Sequence, residues 1–483
     1  MSSAFRMIAS LLLVIGSGGC ERSGSDTVRG VTEAPKIAVA ADEIVANVPG
    51  LREINDGAVY GMLLTEGVGL WSTRQKTIES AVDPKTKARL DALGYLDGVE
   101  AAPARNGVVR HDPARAFPGL NLYTAGHAPE VNLVDMQGEV LHRWSFDVAP
   151  LFAGRPKKLG LPGRWFIRRA HVYPNGDLLA LFEQLALVRL DRDSNLLWAF
   201  TQTPHHAFEV DDAGDIHVLV TRSRLVPEIE PGRYLWDDQV VILDAATGSE
   251  KDRFSILDGL LRGNQTELVD EIVANLESFS SRIGDVLHTN QLEIVDARLA
   301  RRLPDQAPGS YLLSSRRTDA LMTLNPRTGK VDWVLRGSFL GQHHPTVLED
   351  GRILMFDNKR DPKIGSRLIE ILPESGEVLW EFGQTEDQTF FSACCGTVYR
   401  LPNGNTLTSE TGAGRALEIT PEGEVVWEFI NPHRAGPDDQ LIAQLFDTVR
   451  LPANFPLDWA TGNAPPATAS VADSPAPTAA ALR

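Results

Sequence analysis

The sequence predicts an all-β protein: a six-bladed β-propeller with a small helical N-terminal region and a helical insertion between blades three and four. Three observations carry this. First, one hairpin recurs: Arg367-Leu-Ile-Glu-Ile-Leu-Pro-Glu-Ser-Gly-Glu-Val-Leu-Trp-Glu-Phe382 parallels Arg415-Ala-Leu-Glu-Ile-Thr-Pro-Glu-Gly-Glu-Val-Val-Trp-Glu-Phe429. Second, Trp333, Trp380 and Trp427 close three consecutive copies at an even spacing of 47 residues. Third, each copy has a first half built on a turn such as Pro174-Asn175-Gly176-Asp177, Asp212-Ala213-Gly214-Asp215, Glu349-Asp350-Gly351-Arg352 or Pro402-Asn403-Gly404-Asn405. Asn-Gly and Asp-Gly suit hairpin turns because both residues tolerate positive φ. Two hairpins give four strands, which is one propeller blade, and a period of this size marks a repeat architecture.

The elements follow in order. Arg6 precedes an apolar run, Met7 to Ile15, too short to span a bilayer. Ser17-Gly18-Gly19-Cys20 then supplies the small residues of a cleaved export signal. Its ending resembles a bacterial lipobox, which implies acylation at Cys20, anchorage to the cell envelope, and, with Glu21 next, the periplasmic side of the outer membrane. Residues 21–35 read as a polar tether. Residues 36–105 read as a mostly helical region, since Ile78, Val82, Leu90, Leu93 and Leu96 recur among charges. The propeller occupies 110–455, in units beginning near residues 117, 166, 203, 286, 340 and 390. Trp198 closes unit two, and His142 stands in the tryptophan position of unit one. Val240 to Asp244 with Gly248 forms a weaker copy in unit three. Ile256 to Arg282 carries Leu257, Leu260, Leu261, Leu268, Ile272 and Leu276, a helical pattern. The tail, 460–483, is rich in Ala, Pro, Thr and Ser and is expected to be disordered.

Composition narrows the partners. The 483 residues carry a formal net charge of −17, which argues against sequence-independent nucleic-acid binding. No later segment reads as a transmembrane helix, so membrane contact is expected through the lipid alone. Beyond Cys20 the only cysteines are the neighbours Cys394 and Cys395, too few for a zinc site. No metal or cofactor is expected. Oligomeric state is not legible.

The histidines carry the chemistry. Unit three opens with His205-His206, unit four with His288-Thr289-Asn290, and unit five with Gln342-His343-His344. His206, His288 and His343 each precede an aliphatic residue by four: Val210, Leu292 and Val347. Matching positions on innermost strands meet at a propeller's axis, so the three should ring one mouth. Such a ring can bind a metal, supply a nucleophile with its acid–base partner, or line a wet channel. Arg316 and Arg317 in unit four, with Lys359 and Arg360 in unit five, add cations at the ends of second strands. A guanidinium fork suits a tetrahedral oxyanion.

In this order, His288-Thr-Asn, Leu313-Ser-Ser-Arg316, Gln342-His343-His344 with Asp357-Asn358, Arg400-Leu-Pro-Asn-Gly-Asn-Thr-Leu407 and Gly423-Glu-Val-Val-Trp-Glu-Phe-Ile-Asn-Pro432 resemble the bacterial arylsulfotransferase family. The resemblance spans roughly residues 117–435. It implies transfer of a sulfuryl group from a phenolic sulfate ester to a phenol through a sulfated histidine, without a nucleotide donor. His288 and His343 match two channel histidines and Arg360 its arginine, while His206 rests on the repeat alone. His344, Arg316, Arg317, Asn290 and Lys359 are the expected substrate contacts. Ala393-Cys394-Cys395-Gly396 stands where unit six would carry the family's nucleophilic histidine. That keeps a second reading open: an envelope propeller that binds an anion, glycan or protein without catalysis.

Overall fold

Antiparallel pairing gathers the strands into six blades. Blade one pairs Leu445–Pro452, Gly119–Ala125, Glu130–Val134 and Val140–Ser145 in that order. Blade two pairs Ile167–Val172, Leu178–Phe182, Ala186–Leu190 and Leu196–Phe200. Blade three pairs Pro204–Val210, Ile216–Val226, Glu230–Leu243 and Glu250–Ser255. Blade four pairs Thr289–Ile294, Tyr311–Ser315, Ala320–Asn325 and Lys330–Arg336. Blade five pairs His343–Val347, Ile353–Asp357, Arg367–Ile371 and Val378–Gly383. Blade six pairs Thr397–Arg400, Thr406–Glu410, Arg415–Ile419 and Val425–Ile430, with Gly107–His111 added outside as a fifth strand. The computed structural model describes residues 100–152, 166–276, 284–359, 363–386, 388–435 and 440–460. The export signal with Cys20, the tether, the 36–105 region up to residue 99, Arg360 and the tail beyond residue 460 lie outside the described residues.

The core is six wedges between neighbouring blades. In Leu178–Phe182 every side chain is buried. Leu178, Ala180 and Phe182 pack toward blade one, while Leu179 and Leu181 pack toward blade three. Period-two alternation thus serves two interfaces from one strand. Equivalent clusters join blades three and four, four and five, five and six, and six and one. Each leucine so buried contributes about 1.5–3 kcal/mol. With the apolar surface spent between blades, the axis is left to polar residues.

The recurring tryptophans latch these wedges. The Trp198 indole N–H donates to Ala245 O (3.0 Å), Trp380 to Pro421 O (2.8 Å) and Trp427 to Met136 O (3.1 Å). Each acceptor lies in a third-to-fourth-strand turn of the next blade. His142 does the same from blade one, with Nε2 at 2.9 Å from Arg192 O. It fills the tryptophan position by chemistry as well as by register. Gly248 shows why its turn takes glycine: φ is +69° and an added Cβ would stand 2.6 Å from the Trp198 ring.

The insertion after blade three forms two helices, α1 (Ile256–Arg262) and α2 (Thr266–Ala274). Ser255 caps α1 by accepting from the Asp258 N–H. Ile256, Leu257, Leu260, Leu268 and Ile272 bury against blades three and four. Among the described residues no helix is long and apolar enough to cross a membrane.

Candidate active site

Strand register fixes which side chains meet at the axis. Val172, Val210, Ile294, Val347 and Arg400 each pair with the opening residue of their blade's second strand. Four residues earlier stand Arg168, His206, Asn290, His343 and Gly396. All five line one cavity, together with Arg169, His344, Thr397 and Phe446. Every blade therefore contributes, Phe446 coming from the C-terminal strand of blade one. The enclosed space is narrow, about 20 Å³, and opens toward solvent.

Backbone irregularity turns these side chains inward. Register shifts interrupt the first strands of blades two to five at this place. Such bulges re-aim side chains. His206, His288 and His344 have φ of +54°, +51° and +52°, a left-handed conformation uncommon outside glycine and often found at functional sites. Gly396 has φ +97°, and a Cβ there would meet the Phe356 ring at 2.6 Å.

Three histidines have their Nδ1 atoms held by a side chain. His343 Nδ1 donates to Asn358 Oδ1 (2.7 Å), and its Nε2 accepts from the Cys395 N–H (3.2 Å). Asn358 is itself fixed, donating to Ser392 O and Cys395 O. His206 Nδ1 lies 3.2 Å from Glu183 Oε1, and its backbone N–H donates to Glu183 Oε2. His288 Nδ1 lies 2.8 Å from Asp285 Oδ2, which Arg317 also approaches (3.4 Å). The His206 and His288 rings meet edge to face, 4.9 Å between centroids.

Two arginines from blade two supply the positive charge. Arg168 Nε lies 3.4 Å from Glu183 Oε2, and its Nη1 is 3.5 Å from Cys395 Sγ. Burial works against its charge, but Cys395 and Glu183 outweigh burial and raise its pKa. Arg169 donates to Gln291 Oε1 and lies 3.6 Å from Asp447. Burial, helped by Arg169, holds His344 well below the usual histidine range, so its ring is neutral. His205 is raised instead: burial opposes its charge, but Asp238, 3.4 Å from Nε2, and Glu183 prevail. Further along the first strands, Glu209 accepts from the Ile294 N–H and Glu293 from the Val347 N–H (3.0 Å). Burial raises both carboxyls, and for Glu293 the charge of Glu209 adds to it.

Of the residues expected from sequence, His206, His343, His344 and Asn290 reach the cavity. His288 does not line it. In blade four the anchoring residue is Ile294 rather than Leu292, so His288 stands two positions early and Asn290 takes the place facing the cavity. Arg316 and Arg317 sit behind His288, their backbone N–H groups bonded to His288 O and Leu287 O. The second-strand equivalence also moves by one: Ile353 corresponds to Tyr311, so Lys359, not Arg360, matches Arg317. Lys359 lies at that strand end outside the cavity lining, bonded through its backbone N–H to Leu340 O. Sequence reasoning missed Arg168, Arg169, Glu183, Thr397 and Phe446. The adjacent Arg168-Arg169 at the opening of unit two was the available signal. Among the described residues one group could hold a metal: the donor atoms of Glu183, His205 and His206 lie within 4.8 Å of one another.

Six blades thus close on a buried Arg168, a part-buried Arg169 and buried histidines. The chain belongs to the arylsulfotransferase (ASST) family, whose profile matches residues 170–432, from blade two through blade six. No curated protein matches it. Among solved structures it is similar to a protein of unknown function from Bacteroides caccae, at 12% identity over 68% of this chain and 98% of that one, TM-score 0.44. It is also similar to the WD40 propeller domain of Doa1, at 12% identity over 71% and 94% of the two chains, TM-score 0.37. BamB from Moraxella catarrhalis aligns at 10% identity over 72% and 95%, TM-score 0.32.

Proposed function

We propose that the cavity transfers a sulfuryl group from an aryl sulfate to a phenol, as the family implies. The observation that carries this is Arg168, Arg169 and His343 closing one buried cavity. The guanidinium groups take the sulfate oxygens, where charge is worth most out of water. Asn358 keeps the proton on His343 Nδ1, which leaves the Nε2 lone pair as nucleophile. Nε2 leaves the Cys395 N–H and attacks sulfur; the S–N bond forms as the S–O bond to the aryl group breaks. The phenolate departs with the electron pair, taking a proton from water or from the neighbouring histidines. A second phenol then gives its proton to water or a neighbouring histidine as its oxygen attacks sulfur; the S–N bond breaks, its electron pair returns to Nε2, and the new aryl sulfate leaves.

With 4-nitrophenyl sulfate and phenol the protein should release nitrophenol, and His343→Ala should lower kcat at least 1,000-fold, on the order of losing a nucleophile. Intact mass after reaction with donor alone should show one added sulfuryl group, mapped to His343. Absence of turnover across many donors and acceptors sinks the reading. One observation favours a binding role: blade six offers Gly396 and Thr397 to the cavity and no histidine. In that case the protein retains aryl sulfate without cleaving it. The same proposal includes export and acylation at Cys20, which Cys20→Ser should abolish, moving the protein from the membrane to the soluble fraction.

A further inference from the structure

The two Nδ1 atoms of the adjacent residues His205 and His206 face each other at 2.9 Å. Glu183 Oε1 lies 3.2 Å from His206 Nδ1. The three donor atoms lie within 4.8 Å of one another, on two buried histidines and a part-buried glutamate. Two ring nitrogens at that separation share either a proton, one N–H donating to the other nitrogen's lone pair, or a metal ion. The spacing suits the ion. With metal–nitrogen bonds of about 2.1 Å, nitrogens 2.9 Å apart subtend roughly 90° at the metal. A tetrahedral centre would hold them about 3.4 Å apart. Two histidines and one carboxylate on one face, at near-right angles, leave the remaining positions open for water or ligand.

The surroundings orient each donor. His205, presenting Nδ1, turns its other nitrogen to Asp238, 3.4 Å away, the carboxylate–histidine arrangement that supports metal ligands. Asp238 is held by Thr221 Oγ1 and by the Thr289 N–H. Glu183 engages the His206 N–H and Arg168 through Oε2, leaving Oε1 toward the histidines. Arg168 therefore neutralises the oxygen away from the centre.

We propose that Glu183, His205 and His206 bind one divalent first-row transition ion. Two imidazoles disfavour magnesium and calcium, which take oxygen ligands, and the near-right angle selects Co, Ni or Fe(II) over tetrahedral zinc. His206 lines the central cavity, so the open positions of the ion belong to that cavity. The ion also takes His206 out of proton traffic, leaving that work to other groups. This inference goes beyond the sulfuryl-transfer reading and stands without it, since its readout is metal content.

Cobalt(II) is the probe. Full-length protein stripped with a chelator and titrated with Co(II) should bind one ion per chain tightly, with a d–d spectrum of five- or six-coordination. Glu183→Gln and His205→Ala should each weaken binding at least 100-fold, and Asp238→Asn by about 10–100-fold, as for an orienting partner. His433→Ala, away from the cluster, should bind as the parent does. Near-ultraviolet circular dichroism of each metal-free variant checks folding, and Asp238→Asn decides the matter if His205→Ala does not fold. No Co(II) binding below about 1 mM, on the scale of a nonspecific site, overturns the proposal. So does Co(II) binding that neither Glu183→Gln nor Asp238→Asn weakens.

Discussion

At the scale of the residue, the site is made of pairs: an imidazole and the group that fixes its tautomer. Asn358 is the informative partner, because it touches His343 and lies outside the cavity lining. Asn358→Leu should lower kcat about 100- to 1,000-fold with KM changed little, the range of proton-state control. Asn358→Asp, which keeps an acceptor for Nδ1–H, should recover part of it. Equal loss in both variants, or a change in KM alone, refutes the positioning role. A second test concerns Glu293, raised from 4.5 to about 8 by burial and then by Glu209. Between those values the fold holds a proton that the unfolded chain has released, so stability falls as pH rises through the window, at about 1.4 kcal/mol per pH unit per proton. Glu293→Gln should flatten that fall between pH 5 and pH 8.5, read from urea midpoints; an unchanged slope rules it out. The legibility of these residues was uneven for a physical reason. His206 and His343 recur at one register and could be counted from the repeat. His288 was misplaced because the count leaned on Leu292, and the strand's bulge and true anchor at Ile294 are invisible without the partner strand. Glu183 joins the site through His206 of the next blade, and Asp238 through His205 on another strand of its own blade, contacts that no local pattern announces.

At the scale of the element, the hairpins were legible because turn chemistry and alternation agree. Asn-Gly and Asp-Gly turns fall where second strands begin, and the third strands carry apolar residues for both faces. The insertion was legible too, its leucines becoming the buried faces of α1 and α2. The tryptophans were legible as packing, and the structure adds the bond that makes Trp198, Trp380 and Trp427 latches between blades. Trp427→Phe keeps the ring and loses the N–H donated to Met136 O. It should cost about 1–2 kcal/mol, the value of a buried hydrogen bond whose acceptor is left unpaired. Equilibrium urea unfolding checks this, and a cost below about 0.3 kcal/mol would show the bond to be incidental.

At the scale of the whole molecule, the ring closes where the sequence gives no sign of closure. The first copy of the repeat lacks its own innermost strand, and Leu445–Pro452 from the far end of the chain supplies it. Gly107–His111 crosses the same junction outside, pairing with Val425–Ile430 of blade six. Repeat counting stops at the last tryptophan hairpin, and strands that join chain ends have no sequence neighbour to mark their register. The two closing strands differ in what they bury. Leu445, Phe446, Asp447 and Thr448 are all buried, and Asp447 accepts from Tyr399 across the junction of blades six and one. Gly107–His111 is half-exposed along its length. A chain ending at Gln444 should therefore lose the ring altogether, because blade one would present an unpaired inner edge and the cavity would lose Phe446. A chain starting at Asp112 should fold, with its thermal midpoint lowered by several degrees, the shift expected from about 1–3 kcal/mol in a protein of this size. Near-ultraviolet circular dichroism and thermal unfolding separate the two cases. Equal damage from both truncations would mean that the outer strand, not the inner one, is what closes the ring.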